Sequence, residues 1–351
     1  MKAYVLHGIN DLRWEETPTP RPGAHEVLVR VCAAGICGSD IPRIFQNGTY
    51  SFPLIPGHEF AGVVDTIGGE VDESWMGKRV GVFPLIPCHN CVPCQNKQYE
   101  MCRNYSYLGS RTNGGFAEYV IVPENNLLEL PNGVSFEQAA MLEPMAVAVH
   151  AMRRAQIQPG QSVAIYGLGT IGLLLCMLLL DAGLQNIFVV GNKKFQKECV
   201  LQLGIAEENY CDGQTQDVDA WIAAKMNARG VDVFFECVGK NKSIVQSVSN
   251  TAPGGKVQLV GNPAGNILFE KNLYWKILRN QLSVLGSWNS SFLHDASDDW
   301  HYAIQRLADG KIHPEVFITQ KFKFADLQKG LDIMRDKTED YVKVMVVGEC
   351  Q

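Results

Sequence analysis

Four cysteines stand at Cys88-x2-Cys91-x2-Cys94-x7-Cys102 in a proline-punctuated segment of loop character. Short x2 spacings let neighbouring sulfurs and backbone amides wrap one ion, so the pattern suits a tetrahedral thiolate site of the kind zinc takes. Left unpaired in a loop, four thiols would be reactive and poorly packed. Earlier in the chain, Gly35-Ile-Cys37-Gly-Ser39-Asp40 and Gly57-His58-Glu59 place a thiol, an imidazole and a carboxylate in separate loops. Such a set can converge on one zinc and leave a position open for water or substrate. Taken singly, Cys37 reads equally as buried filler and His58-Glu59 as a solvated loop pair. Glu143 opens the apolar run Glu143-Pro-Met-Ala-Val-Ala-Val-His150 and is either a helix-start acid or a further ligand. Cys32, Cys176, Cys199, Cys211, Cys237 and Cys350 lack such grouping and read as small core or surface residues.

A second chemistry, holding a dinucleotide, is carried by Ser162-Val-Ala-Ile-Tyr-Gly167-Leu-Gly169-Thr170-Ile171-Gly172. Gly167 permits a tight turn, Gly169 lets the backbone approach a pyrophosphate, and Gly172 lets the following helix pack close to the strand. Amides at that helix start, at Thr170 and Ile171, would face the phosphates. An apolar run before the turn, a helical run over 171–181 and a second strand over 187–190 supply the context the motif needs.

These residues must be positioned by two kinds of architecture. Residues 1 to about 81 alternate turns with short β-rich runs over 2–6, 26–33, 61–68 and 79–83, which predicts a compact, barrel-like β domain. From about Pro159, strands over 162–166, 187–190, 231–237, 256–260 and 282–285 alternate with helices over 195–203, 218–226 and 242–249. That alternation predicts an α/β unit with a parallel sheet and right-handed crossovers. After Gly286 the chain turns aromatic and polar and runs through a helix over 298–307 to a last strand over 342–347. The predicted boundaries are 1–145, with the cysteine lobe at 84–104, then 146–286, then 287–351 as a return to the first domain.

A length of 351 residues exceeds one ordinary core, and 46% hydrophobic with 19% charged residues is globular composition. A net charge of -6 without a basic stripe argues against a nucleic-acid partner. The N-terminus lacks a signal-peptide pattern, and the apolar run over 173–180 fits a buried helix better than a membrane span. A cytoplasmic protein is the expectation.

Together with Gly114-Gly-Phe-Ala-Glu-Tyr119 and Glu143-Pro144, these motifs occur in the order found in the zinc-dependent medium-chain alcohol and polyol dehydrogenases. The chain resembles that family over essentially its whole length. The resemblance implies a GroES-like catalytic domain and a doubly wound Rossmann cofactor domain. It implies Cys37, His58 and Glu143 as ligands of a catalytic zinc, Glu59 as an alternative ligand, and the four lobe cysteines as ligands of a structural zinc, two ions per chain. Ser39 falls at the family's proton-relay position, where a hydroxyl can both accept and donate. Many relatives continue the relay to a histidine; Pro42 stands in that region, so the proton would leave through water or the cofactor ribose. The implied reaction is hydride transfer between a secondary alcohol and a nicotinamide, with zinc as Lewis acid, in a homodimer or homotetramer. The segments 37–48, Gly109-Ser-Arg111 and 276–288 resemble the branch that oxidises sugar-alcohol phosphates such as galactitol 1-phosphate. The rival readings are a dehydrogenase of unphosphorylated polyols such as sorbitol, or of amino alcohols such as threonine. Intact Cys37, His58, Glu143 and Ser39 argue against a silent nucleotide-binding relative.

Two selectivity questions remain with the residues. The strand after the turn ends Val189-Val-Gly191-Asn192-Lys193-Lys194, without the acid that binds the ribose hydroxyls of NAD. Gly191 would leave room for a 2′-phosphate and Lys193 or Lys194 would pair with it, favouring NADP over NAD unless the lysines merely decorate a solvated helix start. A substrate phosphate needs cations, and Arg43 and Arg111 are candidates, each equally readable as the structural partner of an acid. Trp288 and Asn289, with Tyr50, Phe52 and Phe116, either line the substrate or are ordinary packing.

Overall fold

The computed structural model describes residues 1–263 and 265–350. The chain divides into two units, Met1–Pro144 with Ser291–Gln351, and Met145–Ser290. Strand Glu26–Ile36 is the spine of the first. Along one edge it pairs antiparallel with Glu59–Ile67; along the other it pairs first with Tyr119–Pro123 and then, from Ala33 onward, with Lys343–Val347. The sheet extends through Arg79–Val82 and Leu127–Glu129 on one side and through Ile318–Lys323 on the other. Alternate residues Val27, Val29 and Val31 enter one core with Val344 and Val346, as period-two strands with one apolar face require.

Strand Ile318–Lys323 and helix Leu327–Asp336 were not expected from the sequence. The strand, Ile-Thr-Gln-Lys-Phe-Lys, lies at a sheet edge with no fully buried residue, so its composition carries little strand signal. A second correction concerns the ungrouped cysteines. Cys32 and Cys350 are joined in a disulfide with Cα atoms 5.5 Å apart across 318 residues of sequence, and are not isolated small residues. Cys32 sits where the central strand changes partner, and Gly348 N donates to its carbonyl at 2.8 Å, so the last described residues run alongside it.

The second unit is a six-stranded parallel sheet in the order Tyr210–Asp212, Ile187–Gly191, Val163–Tyr166, Val231–Glu236, Thr251–Leu259, Ser283–Gly286. This is the doubly wound order, in which the chain reverses direction across the sheet beside its first strand. Helix Thr170–Asp181 follows that strand and is apolar on nearly every face, with 172–179 all buried. Among the described residues no helix is long and apolar enough to cross a membrane.

Candidate active site

Cys37 follows the central strand directly, and Glu59 begins the strand paired against it, opposite Gly35. The antiparallel register therefore brings Cys37, His58 and Glu59 together, with their ligand atoms within 4.8 Å of one another. A side chain at position 35 would overlap Glu59 Oε2, so the carboxylate can lie across the strand only because residue 35 is glycine. Ser39 Oγ donates to Cys37 Sγ at 3.3 Å.

Residues the sequence reading did not assign hold this trio. Asp40 is fully buried, accepts from Cys37 N at 3.0 Å, pairs with Arg43 Nη1 at 2.5 Å and lies 3.5 Å from His58 Nδ1. Burial would raise its pKa, but His58 and Arg43 hold the carboxyl below its usual range. Burial likewise opposes a charge on His58, yet Asp40 and Cys37 hold the imidazole well above its ordinary pKa. Lys343, buried in the last strand, donates to Glu59 Oε2 at 2.5 Å and to Ile36 O at 3.2 Å. A lone lysine inside Tyr-Val-Lys-Val-Met-Val-Val was the available signal, since a charge in an apolar strand is buried with a partner.

Glu143 stands outside the closely spaced trio, near the start of helix Leu142–Ala155. Its Oε1 accepts from Tyr107 OH at 3.1 Å. Burial pushes it up to about 6, with Glu59 adding to the rise while His58 and Lys343 oppose it. Thiol, imidazole, buried Glu59 and half-buried Glu143 form a donor set that zinc accepts, with Glu59 already engaged by Lys343 and Glu143 by a neutral phenol.

In the cysteine lobe the four sulfurs also lie within 4.8 Å of one another, and none is in a disulfide. Cys91 Sγ is 3.5 Å from Cys94 Sγ and 3.9 Å from Cys102 Sγ. Zn–S bonds of about 2.3 Å in a tetrahedron place sulfurs about 3.8 Å apart, so the spacing fits such an ion. Backbone amides of Arg103 and Cys94 lower Cys91 to about 6, whereas burial raises Cys94 to about 12.

In the second unit Gly167 has φ 102°, and a side chain there would press on Val238. Any Cβ on Gly172 would overlap the carbonyl oxygen of Gly167, whereas a Cβ on Gly169 would meet nothing within 4 Å. Gly169 is the N-cap of helix Thr170–Asp181, whose first turn is the candidate site for a diphosphate. Buried Glu236, unassigned from sequence, accepts from Val238 N and Gly239 N, each at 2.9 Å, and from Ser243 Oγ at 2.7 Å, fixing the neighbouring loop. A Cβ at Gly191 would come within 2.9 Å of Leu168 and 3.0 Å of Tyr210, so the strand end needs glycine there. Asn192 N donates to Gln196 at 3.1 Å, Lys193 caps helix Lys194–Gln202, and Lys194 reaches Glu198 at 3.7 Å.

Arg43 is committed to Asp40, and Arg111 lies against the rings of Tyr50 and Tyr105. Trp288, 55% exposed, and Asn289, with φ 55°, belong to the second unit just beyond the edge strand.

Residues 23–132 match the alcohol dehydrogenase GroES-like domain and residues 170–309 the zinc-binding dehydrogenase domain. The chain is 31% identical over 343 residues to the galactitol 1-phosphate 5-dehydrogenase of Escherichia coli strain K12, covering 96% of this chain and 97% of that protein. It is 33% identical to the L-idonate 5-dehydrogenase of Vitis vinifera, covering 93% of this chain and 88% of the relative. A crystal structure of Escherichia coli galactitol-1-phosphate dehydrogenase superposes with a TM-score of 0.92 at 30% identity, covering 99% of this chain and 100% of that one. A zinc-binding dehydrogenase from Sinorhizobium meliloti 1021 bound to NADP superposes with a TM-score of 0.89 at 29% identity, covering 99% of each chain. With both domain matches in order and a likeness that runs almost end to end, the chain belongs to the zinc-dependent medium-chain alcohol and polyol dehydrogenases.

Proposed function

We propose that the protein transfers a hydride between a secondary alcohol of a polyol phosphate and a nicotinamide, giving a ketose phosphate. In this reading Cys37, His58 and Glu143 hold one zinc, Glu59 is its exchanging ligand, and Cys88, Cys91, Cys94 and Cys102 hold a second. The observation that carries it is the convergence of half-buried Cys37 with buried His58 and Glu59 in a chain of this family. When bound, zinc supplies Lewis acidity to the substrate hydroxyl.

The chain's own groups do the rest. Ser39 Oγ accepts the substrate's proton and passes its own toward water, which a hydroxyl can do in one step. Asp40, fixed by Arg43, places a carboxylate 3.5 Å from His58 Nδ1, and Tyr107 holds one oxygen of Glu143. Lys343 neutralises Glu59, so the trio does not carry an unbalanced buried charge. The helix start beyond Gly169 takes the cofactor diphosphate. NADP is favoured because strand Ile187–Gly191 ends without an acid and Lys193 begins the next helix. Both relatives are named for 5-dehydrogenation of an anionic polyol, a phosphate in one and a carboxylate in the other, which supports a substrate with a charged end.

Initial rates of reduced-nicotinamide formation test this, with galactitol 1-phosphate, galactitol and sorbitol, each with NADP and NAD. Preference for the phosphate with NADP is expected. Equal or faster turnover of the neutral polyols would move the protein to the general polyol dehydrogenases, and faster turnover with NAD would reverse the cofactor reading.

A further inference from the structure

The guanidinium carbon of Arg111 lies 4.2 Å from the centre of the Tyr50 ring and 4.3 Å from that of Tyr105. With two aromatic rings against it, the planar group still keeps N–H donors around its edge. Nη2 donates to Tyr50 OH at 3.2 Å. Among the described residues no carboxylate lies within ion-pair distance of Arg111, whereas Arg13, Arg43, Arg229 and Arg335 are each paired with an aspartate. Arg111 is therefore a fixed positive charge without a counter-charge.

Its place is also fixed. The N–H groups of Ser110, Arg111 and Thr112 all donate to the carbonyl of Tyr107, at 3.2, 2.9 and 3.1 Å. Tyr107, at the base of this loop, holds Glu143 and has its ring centre 5.8 Å from that of His58. The Tyr105 and Tyr107 rings meet edge to face at 6.1 Å. A run of rings thus leads from His58 through Tyr107 and Tyr105 to the guanidinium, and Tyr50, 73% exposed, closes it on the solvent side.

We propose that Arg111, with the Tyr50 hydroxyl as a second donor, clamps the terminal oxyanion of the substrate. A phosphate monoester is the first source of that oxyanion and a sugar-acid carboxylate the second. The proposal deepens the polyol-phosphate reading and rests on it for the substrate's identity. The edge of the guanidinium presents two parallel N–H groups that match two oxygens of either anion. Tyr50 OH accepts from Arg111 and keeps its own proton for the same ligand. The two ring contacts and the bond to Tyr50 OH hold the guanidinium in place, so little side-chain freedom is lost when the anion arrives.

The test compares the wild type with Arg111→Gln, Arg111→Lys and Tyr50→Phe, using galactitol 1-phosphate, L-idonate and galactitol as substrates and inorganic phosphate as inhibitor. Arg111→Gln should raise the KM for galactitol 1-phosphate, relative to that for galactitol, by roughly 10–150-fold, the loss of one charge-assisted bond. It should also abolish competitive inhibition by phosphate, with kcat less affected. Arg111→Lys should recover part of both effects, and Tyr50→Phe should show a smaller shift in the same direction. A shift confined to L-idonate supports the clamp and identifies a carboxylate as its ion. Unchanged KM ratios for both anions, with phosphate inhibition intact, would overturn it. Galactitol serves as the internal reference, because a poorly folded variant loses active enzyme without changing the ratio. A wild type that prefers galactitol, yet is inhibited by phosphate through Arg111, overturns the polyol-phosphate reading and leaves the clamp standing.

Discussion

Lys343 Nζ and Glu59 Oε2 meet at 2.5 Å, although 284 residues separate them in sequence and both side chains are almost wholly buried. The pair crosses from the last strand of the first unit to the strand that opens with the candidate metal ligand. Breaking a buried pair leaves one charge without compensation, and that costs more than the pair itself contributes.

Lys343→Met should therefore lower the unfolding free energy by about 3–5 kcal/mol, and adding Glu59→Gln should recover part of the loss. Urea denaturation of the two variants measures this. A loss below about 1 kcal/mol, the range of exposed pairs, would mean that water reaches Glu59 in place of the lysine.

The two cysteine-containing centres should be separable by metal count. Elemental analysis is expected to find two zinc ions per chain; Cys91→Ser should remove the lobe ion, and Cys37→Ser the other together with turnover. Asp40→Asn should weaken the retained catalytic ion by about 10–100-fold under graded chelation while the lobe ion stays. Full activity in a Cys37→Ser protein would remove the metal reading of the trio.

Thiol titration of the denatured, metal-free protein should find nine reactive cysteines before reduction and eleven after it. Cys350→Ser should lower stability by about 2–4 kcal/mol, the typical contribution of a disulfide. Eleven thiols without reductant would show the Cys32–Cys350 pair to be reduced.

The glycine turn makes a contrast between two alanines. Gly172→Ala sets a Cβ against the backbone of Gly167 and should cost about 1–3 kcal/mol of stability, as overpacking does. Gly169→Ala has nothing within 4 Å and should change stability by no more than about 0.5 kcal/mol, yet it should weaken reduced-nucleotide binding followed by fluorescence. Equal nucleotide affinity in the Gly169→Ala protein would place the diphosphate elsewhere.

What was legible in the sequence was what short-range chemistry fixes. Gly167 and Gly172 answer to the turn's own backbone, and the lobe cysteines lie close in sequence as their sulfurs do in space, so both patterns survive without knowledge of the fold. The alternating strands of the second unit carried their parallel order in their apolar runs. Long-range partners were not legible. Nothing at Lys343 names Glu59, nothing at Tyr107 names Glu143, and Cys32 carries no mark of Cys350. Strand Thr251–Leu259 was read only from its apolar end, because Pro253, Gly254 and Gly255 disguise its beginning. The sequence around Arg43 fits a structural and a substrate role equally, and its ion pair with Asp40 favours the first.

The discontinuity of the first unit sets an order of events during synthesis. At about 5–20 residues per second, the lysine that neutralises Glu59 leaves the ribosome roughly 15–60 s after the glutamate does. Until then the nascent sheet lacks its strand from Lys343 to Val347 and holds a carboxylate with no counter-charge. The second unit, contiguous from Met145 to Ser290, has no such wait and can close while the first is still being made. The candidate metal centre is then among the last parts of the chain to be finished, long after its thiol and imidazole have been made.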